Sequence, residues 1–334
     1  MLFTFKLLYL SPILSFIVTL IATPILIRYL NRIGLQVKDQ NKENKPLVPI
    51  SGGLAVISGI LVGLMFYIFV LTFVYNDKTQ FSLIFASLTT ILLITFIGFM
   101  DDLIINKTKD SSVGLKQWQK PFLTLIAAVP LIVINAGVSK MAVPFFGVVD
   151  FGLLYPLLLI PIGVVGASNM VNLLAGMNGL ETGMGIVYFA MLGIYSYYHI
   201  RFEAAAISII LVGALIAFYY FNKFPAKILP GDSLTYLLGA SIAVVAIIGN
   251  IERAALIISI PFILEFLLKA RSKFKAQSYG VFVNGKIQAL NPNKIYSLIH
   301  LMTIKPKFTE KQIAYTFIII TLMISSLIWL IQNV

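Results

Sequence analysis

Runs of about 20 apolar residues recur along the whole of this 334-residue chain, and few folds can accommodate them. A run of that length satisfies its backbone by forming a helix across a bilayer, because the lipid core offers no water to unpaired N–H and C=O groups. Ten such runs are read, at about 7–30, 51–75, 81–100, 121–137, 152–173, 183–199, 203–221, 233–249, 253–273 and 313–332. The expected fold is an all-α polytopic membrane protein with about ten transmembrane helices. Only 11% of the residues are charged, against about a quarter in soluble domains. Two loop segments alternate like short hairpins instead, "VSKMAVPFFGVVDF" at 138–151 and "VFVNGKIQAL" at 281–290. No stretch is long and polar enough for a separate soluble domain. Residues 1–334 are therefore read as a single membrane domain, with 274–311 as a loop or flap within it. The first run lacks a basic leader and a small-residue cleavage site, so it is read as a retained span. The chain has no cysteine, which excludes disulfides, thiolate metal sites and cysteine nucleophiles.

The net charge of +12 is unevenly placed. Twenty of the 25 basic residues fall in alternate loops, 31–50, 101–120, 222–232 and 269–312, together with Arg28. The opposite side holds Lys6, Lys78, Lys140, Arg201 and Arg253. This bias puts the basic loops in the cytoplasm and both termini outside. It accounts for the charge without a nucleic-acid partner. The sequon Asn106-Lys107-Thr108 falls on the cytoplasmic side, where it would not be used. No internal repeat is evident.

The unusual polar residues gather on that same side. In "ITFIGFMDDLIINK", Asp101 and Asp102 end the third span. Negative charge is disfavoured at a helix C-terminus, and the two acids repel each other. A divalent cation or Lys120 is expected to compensate them. Ser168, Asn169 and Asn172 lie near the end of the fifth span, and the two asparagines share a helix face. The loop "NLLAGMNGLETGMG" offers Gly176, Gly179, Gly183 and Gly185 around Asn178, and such a backbone can approach a phosphate closely. In "FPAKILPGDS", Asp232 reads as the N-cap of the eighth span. Taken singly, these are a solvated helix end, interhelical hydrogen bonds, a tight turn and a cap. Taken together they reach one membrane face. Asp101, Asp102, Asn172 and Asp232 are hard oxygen donors without His or Cys, a set suited to Mg²⁺ or Mn²⁺ rather than zinc. A metal–diphosphate site at the cytoplasmic surface would let a lipid phosphate meet a soluble nucleotide. Intramembrane polar residues and glycine-interrupted spans are also transporter features, although transporter sites lie near the midplane.

"GFMDDLI", "NMVNLLAGMNGLETGMG" and "FPAKILPGDS" resemble, in order and spacing, the signatures of the polyprenyl-phosphate N-acetylhexosamine-1-phosphate transferases. That family includes the bacterial phospho-MurNAc-pentapeptide translocase. "NLLAGMNGLE" is more similar to the eukaryotic and archaeal dolichyl-phosphate GlcNAc-1-phosphate transferases. The resemblance spans about 35–300. It implies Mg²⁺-dependent transfer of a sugar 1-phosphate from a UDP-sugar to polyprenyl or dolichyl phosphate, with release of UMP. The reaction is expected on the cytoplasmic face of a plasma membrane, in an archaeal source, in N-glycosylation. The same chemistry with another donor for a wall polymer stays open. By residue, the resemblance implies Asn172 and Asp232 as metal ligands, and Asp101 and Asp102 as the family's essential pair. Lys120 would lie near the diphosphate. Gly176 and Asn178 would hold the uracil, with Leu229 covering it, and Asn169 and Glu181 would line the site. A homodimer is implied as well.

The last cytoplasmic loop departs from the family pattern. Where relatives carry an Arg-His-Arg stretch or a histidine cluster, this chain has "KFKAQSYGVFVNGKIQALN", with Lys273, Lys275, Gln277, Ser278 and Tyr279. His300 is the only histidine in that region. Pro261 is expected to bend the ninth span, which in the family edges a groove for the lipid tail.

Overall fold

The structure is a computed structural model that describes residues 9–105, 114–116, 118–143 and 147–330. The sequon at Asn106, together with Lys6, Lys107 and Lys109, lies outside the described residues.

Helix α1 (Leu10–Arg32) turns the usual amphipathic pattern inside out. Apart from Leu30 near its end, its buried residues are Ser11, Ser15, Thr19 and Thr23, a small polar stripe at a spacing of four, while Ile13, Ile17, Ile21 and Ile25 are exposed. Without a hydrophobic drive between helices in lipid, small residues form the contacts and bulky ones face the tails. A strand pair, β1 (Gln36–Lys38) and β2 (Leu47–Pro49), follows and pairs antiparallel. Helix α2 (Gly53–Phe73) packs its Gly59 against Thr19 and Ser15 of α1, where a Cβ would sit 2.0 Å from Thr19 Oγ1. Helix α3 (Phe81–Ile105) carries Asp101 and Asp102 in its last turns.

Proline then shapes the chain twice. The expected span at 121–137 is instead two short helices, α4 (Gln119–Ile126) and α5 (Val129–Val133). Pro130 lacks an N–H and its ring clashes with the carbonyl of Ile126, so the helix stops there. The expected span at 253–273 is likewise divided into α10 (Glu252–Ile258) and α11 (Ile260–Ala270), with Pro261 crowding the carbonyl of Ile257. Between these breaks lie the hairpin β3 (Lys140–Val143) and β4 (Gly147–Asp150), a π-helical turn (Tyr155–Leu159) and α6 (Ile160–Leu173). Helices α7 (Leu180–Tyr198), α8 (Phe202–Asn222) and α9 (Gly231–Gly249) follow. After α11 come the hairpin β5 (Gly280–Val283) and β6 (Lys286–Ala289), the short α12 (His300–Thr303), and α13 (Glu310–Ser326). Each hairpin is antiparallel.

Among the described residues, seven helices are long and apolar enough to cross a membrane: α1, α2, α3, the segment Tyr155–Leu173, α8, α9 and the segment Glu310–Leu330. The chain is a mostly helical, multi-pass membrane protein; seven such candidates stand where about ten spans were expected. The two proline breaks remove two, and α7 carries too many Gly, Tyr and polar residues.

Helix α9 is the centre of the fold, and nearly all its residues from Ser233 to Gly249 are buried. Its neighbours approach through glycines. A Cβ at Gly98 of α3 would lie 2.4 Å from the Asp232 carbonyl oxygen, and one at Gly239 would lie 2.2 Å from the Ala167 carbonyl of α6. These close contacts bring the ends of α3, α6 and α9 to one place.

Candidate active site

The C-terminal ends of α3 and α6 and the N-terminal end of α9 meet at one end of the bundle. The loops that follow β1, α6, α8 and α11 close over them around a cleft of about 220 Å³. Its lining includes Asp39, Lys120, Asn172, Gly176, Asn178, Glu181, Leu229, Asp232 and Thr235. Nine of the ten residues singled out in the sequence therefore belong to one assembly at the cleft wall or directly behind it, through contacts described below.

The adjacent acids divide their work. Asp101 Oδ2 lies 2.7 Å from Lys120 Nζ, and its Oδ1 accepts the Leu115 N–H at 2.6 Å. Asp102 does not touch Lys120. Its two oxygens accept the N–H groups of Asp232 (2.7 Å) and Ser233 (3.3 Å) at the start of α9. Asp102 thus places a carboxylate on a helix N-terminus, where the macrodipole favours it. This corrects the N-cap reading of Asp232. Helix α9 has no cap from its own chain side; Pro230 stands at the cap position, and the capping group comes from α3. The approach needs glycine at 231, with φ +70° and a would-be Cβ only 2.4 Å from Asp102 Oδ2. Compensation for the acids therefore comes from two sources, an ammonium and a helix end.

Lys120 also holds Asp232, Nζ to Oδ2 at 2.9 Å. Asp101 and Asp232 share this one ammonium, and the Tyr236 hydroxyl donates to Asp101 Oδ2 at 3.3 Å. Asn172 Oδ1 accepts the Thr235 hydroxyl at 2.9 Å, which fixes its carbonyl beside Asp232. Asp101 and Asp102 are fully buried and form the wall behind the cleft, while Lys120, Asn172 and Asp232 face it. Asn169 shares the α6 face but is committed elsewhere, with Nδ2 donating to Thr124 Oγ1 (3.2 Å) and the Val165 carbonyl (2.8 Å). It does not line the cleft.

Three carboxylates (Asp101, Asp102, Asp232) are gathered around one ammonium (Lys120) and one helix N-terminus, so carboxylates outnumber the basic side chains by two in a buried setting. Buried charge needs a partner. The oxygens of Asp232 and Asn172 at the cleft are the donor type that Mg²⁺ accepts, since it keeps several waters and takes few protein ligands. Among the described residues no group of three or more His, Cys, Asp or Glu could hold a metal ion by itself. A cation at Asp232 and Asn172 would take most of its ligands from water and substrate.

The glycine loop is braced rather than free. Glu181 Oε1 accepts the Gly176 N–H at 2.7 Å, and Gly176 itself has φ +138°. Leu229 is pinned by its N–H to the Pro49 carbonyl (2.8 Å), and its own carbonyl accepts the Gly52 N–H (3.1 Å).

Several residues of the site were not singled out in the sequence. Asp39, Asn41, Lys42 and Glu310 surround Asn178. Asn178 Nδ2 donates to Asp39 Oδ2 at 3.0 Å, and its N–H donates to Glu310 Oε1 at 2.8 Å. Lys42 bridges Asp39 and Glu310. Asn41 donates to the Gly176 carbonyl at 2.5 Å and accepts the Gly280 N–H at 3.0 Å, tying the glycine loop to β5. In the loop after α11, Phe274, Gln277, Ser278 and Tyr279 line the cleft, whereas Lys273 and Lys275 do not. The basic residue that lines it from this side is Lys269, which donates to the Ala276 carbonyl at 2.7 Å. His300 Nε2 lies 2.9 Å from the Gln277 carbonyl and supports the loop from behind.

The sequence profile of glycosyl transferase family 4 matches residues 84–250, half the chain and all three polar motifs. The chain belongs to this family. A Saccharolobus solfataricus protein provisionally named UDP-N-acetylglucosamine–dolichyl-phosphate N-acetylglucosaminephosphotransferase is 36% identical over 307 residues, 91% of this chain and 90% of that one. A Sulfolobus acidocaldarius protein of the same provisional name is 33% identical over the same shares. A phospho-N-acetylmuramoyl-pentapeptide-transferase of Halalkalibacterium halodurans is 34% identical over 275 residues, 78% of this chain and 81% of that enzyme. Membership of the family gives the clustered acids, asparagines and glycines a shared setting.

Proposed function

We propose that this protein transfers N-acetylglucosamine 1-phosphate from UDP-N-acetylglucosamine to dolichyl or a related polyprenyl phosphate, releasing UMP, with Mg²⁺ as cofactor. The carrying observation is the cluster of Asp101, Lys120, Asn172 and Asp232 beside the braced glycine loop, with an excess of two carboxylates. That charge pattern suits a cation–diphosphate pair. The family relatives named for this activity supply the sugar and the lipid.

A second cavity supports the lipid acceptor. A groove of about 260 Å³ runs between α6, α9, α10 and α11, lined by Gly163, Ala167, Met170, Ala243, Ala246 and Phe262 among others. Met170 and Val171 of its wall lie in the same turn of α6 as Asn169 and Asn172, which puts one end of the groove's wall close to the polar cluster. An isoprenoid tail laid there would have its phosphate on the side of that cluster.

In the proposed reaction a lipid phosphate oxygen attacks the β-phosphorus of the nucleotide-sugar. The bond from that phosphorus to the bridging oxygen breaks, and its electron pair leaves with UMP. A phosphate monoester has a second pKa near ~6, so the acceptor is already largely dianionic and needs no base. Asp101 is sealed from the cleft with both oxygens engaged, which favours a positioning role over proton transfer. Lys120 neutralises charge moving onto the departing UMP, and the α9 first turn holds Asp232 and Asn172 in place. When bound, Mg²⁺ would supply further neutralisation of the diphosphate, held by Asp232 and Asn172. Gly176 and Asn178 would hold the uracil, with Leu229 covering it.

The proposal extends to topology. The whole chain works as one transferase domain, with 274–311 as a flap over the cleft. The cleft faces the cytoplasm at the plasma membrane of an archaeal cell, for N-glycosylation, and the protein forms a homodimer. The test is UMP release by purified protein supplied with dolichyl phosphate and a panel of UDP-sugars. Release with UDP-N-acetylglucosamine, dependent on lipid phosphate and lost in Asp232→Asn, supports the assignment. Release with a different donor only would reassign the sugar, and uptake of UDP-sugar into liposomes without release would make the protein a transporter.

A further inference from the structure

The β1–β2 loop brings Asp39 against the side chain of Asn178. Asn178 is 5% exposed and lines the cleft. An asparagine amide has a donor edge and an acceptor edge, and a half-turn about its last bond exchanges them. Its neighbour decides which edge faces where. Asp39, 5% exposed and beside Asn178 in the cleft wall, is the partner of one edge, and a carboxylate only accepts. The Nδ2 group must therefore point at Asp39, as it does at 3.0 Å. Lys42 stands 3.2 Å from the same carboxylate oxygen and also pairs with Glu310, which in turn holds the Asn178 N–H. Side chain and backbone of Asn178 are thus both fixed. The carbonyl Oδ1 accepts nothing among the described residues, is not among the sealed polar atoms, and is left to the cleft.

A fixed acceptor at this place discriminates between pyrimidines. Uracil carries an N3–H donor between two carbonyls. Cytosine has an unprotonated N3, which is an acceptor, beside an amino group. We propose that Asp39 is the positioning residue that makes this site uridine-specific: it turns the Asn178 carbonyl toward the cleft as an acceptor for the uracil N3–H and so excludes cytosine. This rests on the nucleotide-sugar reading above. With the amide locked, cytosine would set two acceptors against each other, and a lost bond with an unmet polar group weakens binding roughly 10- to 100-fold.

The experiment measures equilibrium binding of UMP and of CMP to the purified full chain in detergent with Mg²⁺ present. The wild type is expected to favour UMP by about 10-fold or more. In Asp39→Ser the hydroxyl can donate or accept, so either amide edge can face the cleft. UMP binding then weakens, CMP binding strengthens, and the preference falls toward parity. Asp39→Asn, whose amide also serves either edge, gives the same result and replaces the serine variant if that does not fold. Adding Asn178→Asp to either variant restores the preference, because a carboxylate presents an acceptor whichever way it turns. A purely supportive role for Asp39 would weaken UMP and CMP equally and leave the ratio intact, and that result overturns the proposal. So does failure of Asn178→Asp to restore the ratio. Failure of the underlying reading shows differently, as a wild type that binds neither nucleotide.

Discussion

Asp102→Asn separates the two adjacent carboxylates by what they hold. Asp102 accepts two backbone N–H groups at the head of α9, from Asp232 at 2.7 Å and Ser233 at 3.3 Å. Asparagine keeps one acceptor and turns an amino group toward the other N–H. The exchange removes one charge-assisted bond, about 1.5–3 kcal/mol. It also removes negative charge from a helix N-terminus, about 0.3–1 kcal/mol more. The expected loss is about 2–4 kcal/mol of stability. At about 2–4 °C per kcal/mol for chains of 150–250 residues, the melting temperature should fall by several degrees. The assay is thermal unfolding of the purified protein in detergent, followed by aggregation or tryptophan fluorescence, beside UMP release. Activity should fall together with stability, because Asp232 sits on the turn that loosens. A variant that melts with the wild type while losing all activity would refute the capping assignment and place Asp102 on the substrate or its metal.

Three further outcomes are expected. Lys120→Met leaves Asp101 and Asp232 facing each other without their shared ammonium, and kcat for UMP release should drop about 10²–10³-fold, read by steady-state kinetics at saturating donor. Gly98→Ala drives a methyl to 2.4 Å from the Asp232 carbonyl oxygen; overpacking of this kind costs about 1–3 kcal/mol, visible as a lower melting temperature and reduced activity. At Gly163 an added Cβ meets only the Ala243 Cβ at 3.9 Å, and Gly163→Leu puts three further carbons into the apolar groove; KM for the lipid phosphate should rise several-fold while UMP affinity stays unchanged in a binding titration.

Much of the molecule was readable because lipid imposes strong rules. The apolar runs located the long helices, and alternation found the hairpins β3–β4 and β5–β6. The shortfall in spans has a local cause at Pro130 and Pro261, where a continuous apolar run hides a break in the backbone ladder. In the site, Asp101, Asn172, Gly176, Asn178 and Asp232 stood out because acids, amides and glycines are costly or unusual at span ends, and Lys120 followed as the counter-charge the acids require. Asp102 stood out for the same reason, but its partner did not, since a carboxylate from α3 capping α9 is a contact across 130 positions. Asp39, Asn41, Lys42 and Glu310 gave no such signal. They lie among ordinary charged loop residues, and only the fold sets Asp39 against Asn178, 139 positions away. Glu310 reads as a first-turn acid of α13, and its bond to Asn178 is likewise long-range.

The central claim is that a sugar phosphate, and not a sugar alone, moves to the lipid. UDP-N-acetylglucosamine labelled with ³²P at the β-position tests it directly when incubated with the protein, dolichyl phosphate and Mg²⁺, followed by partition into organic solvent. Attack at the β-phosphorus carries the label into the lipid phase and leaves unlabelled UMP in water. Label that stays in water as UDP while the sugar enters the lipid phase would mean cleavage at the sugar carbon and would contradict the account.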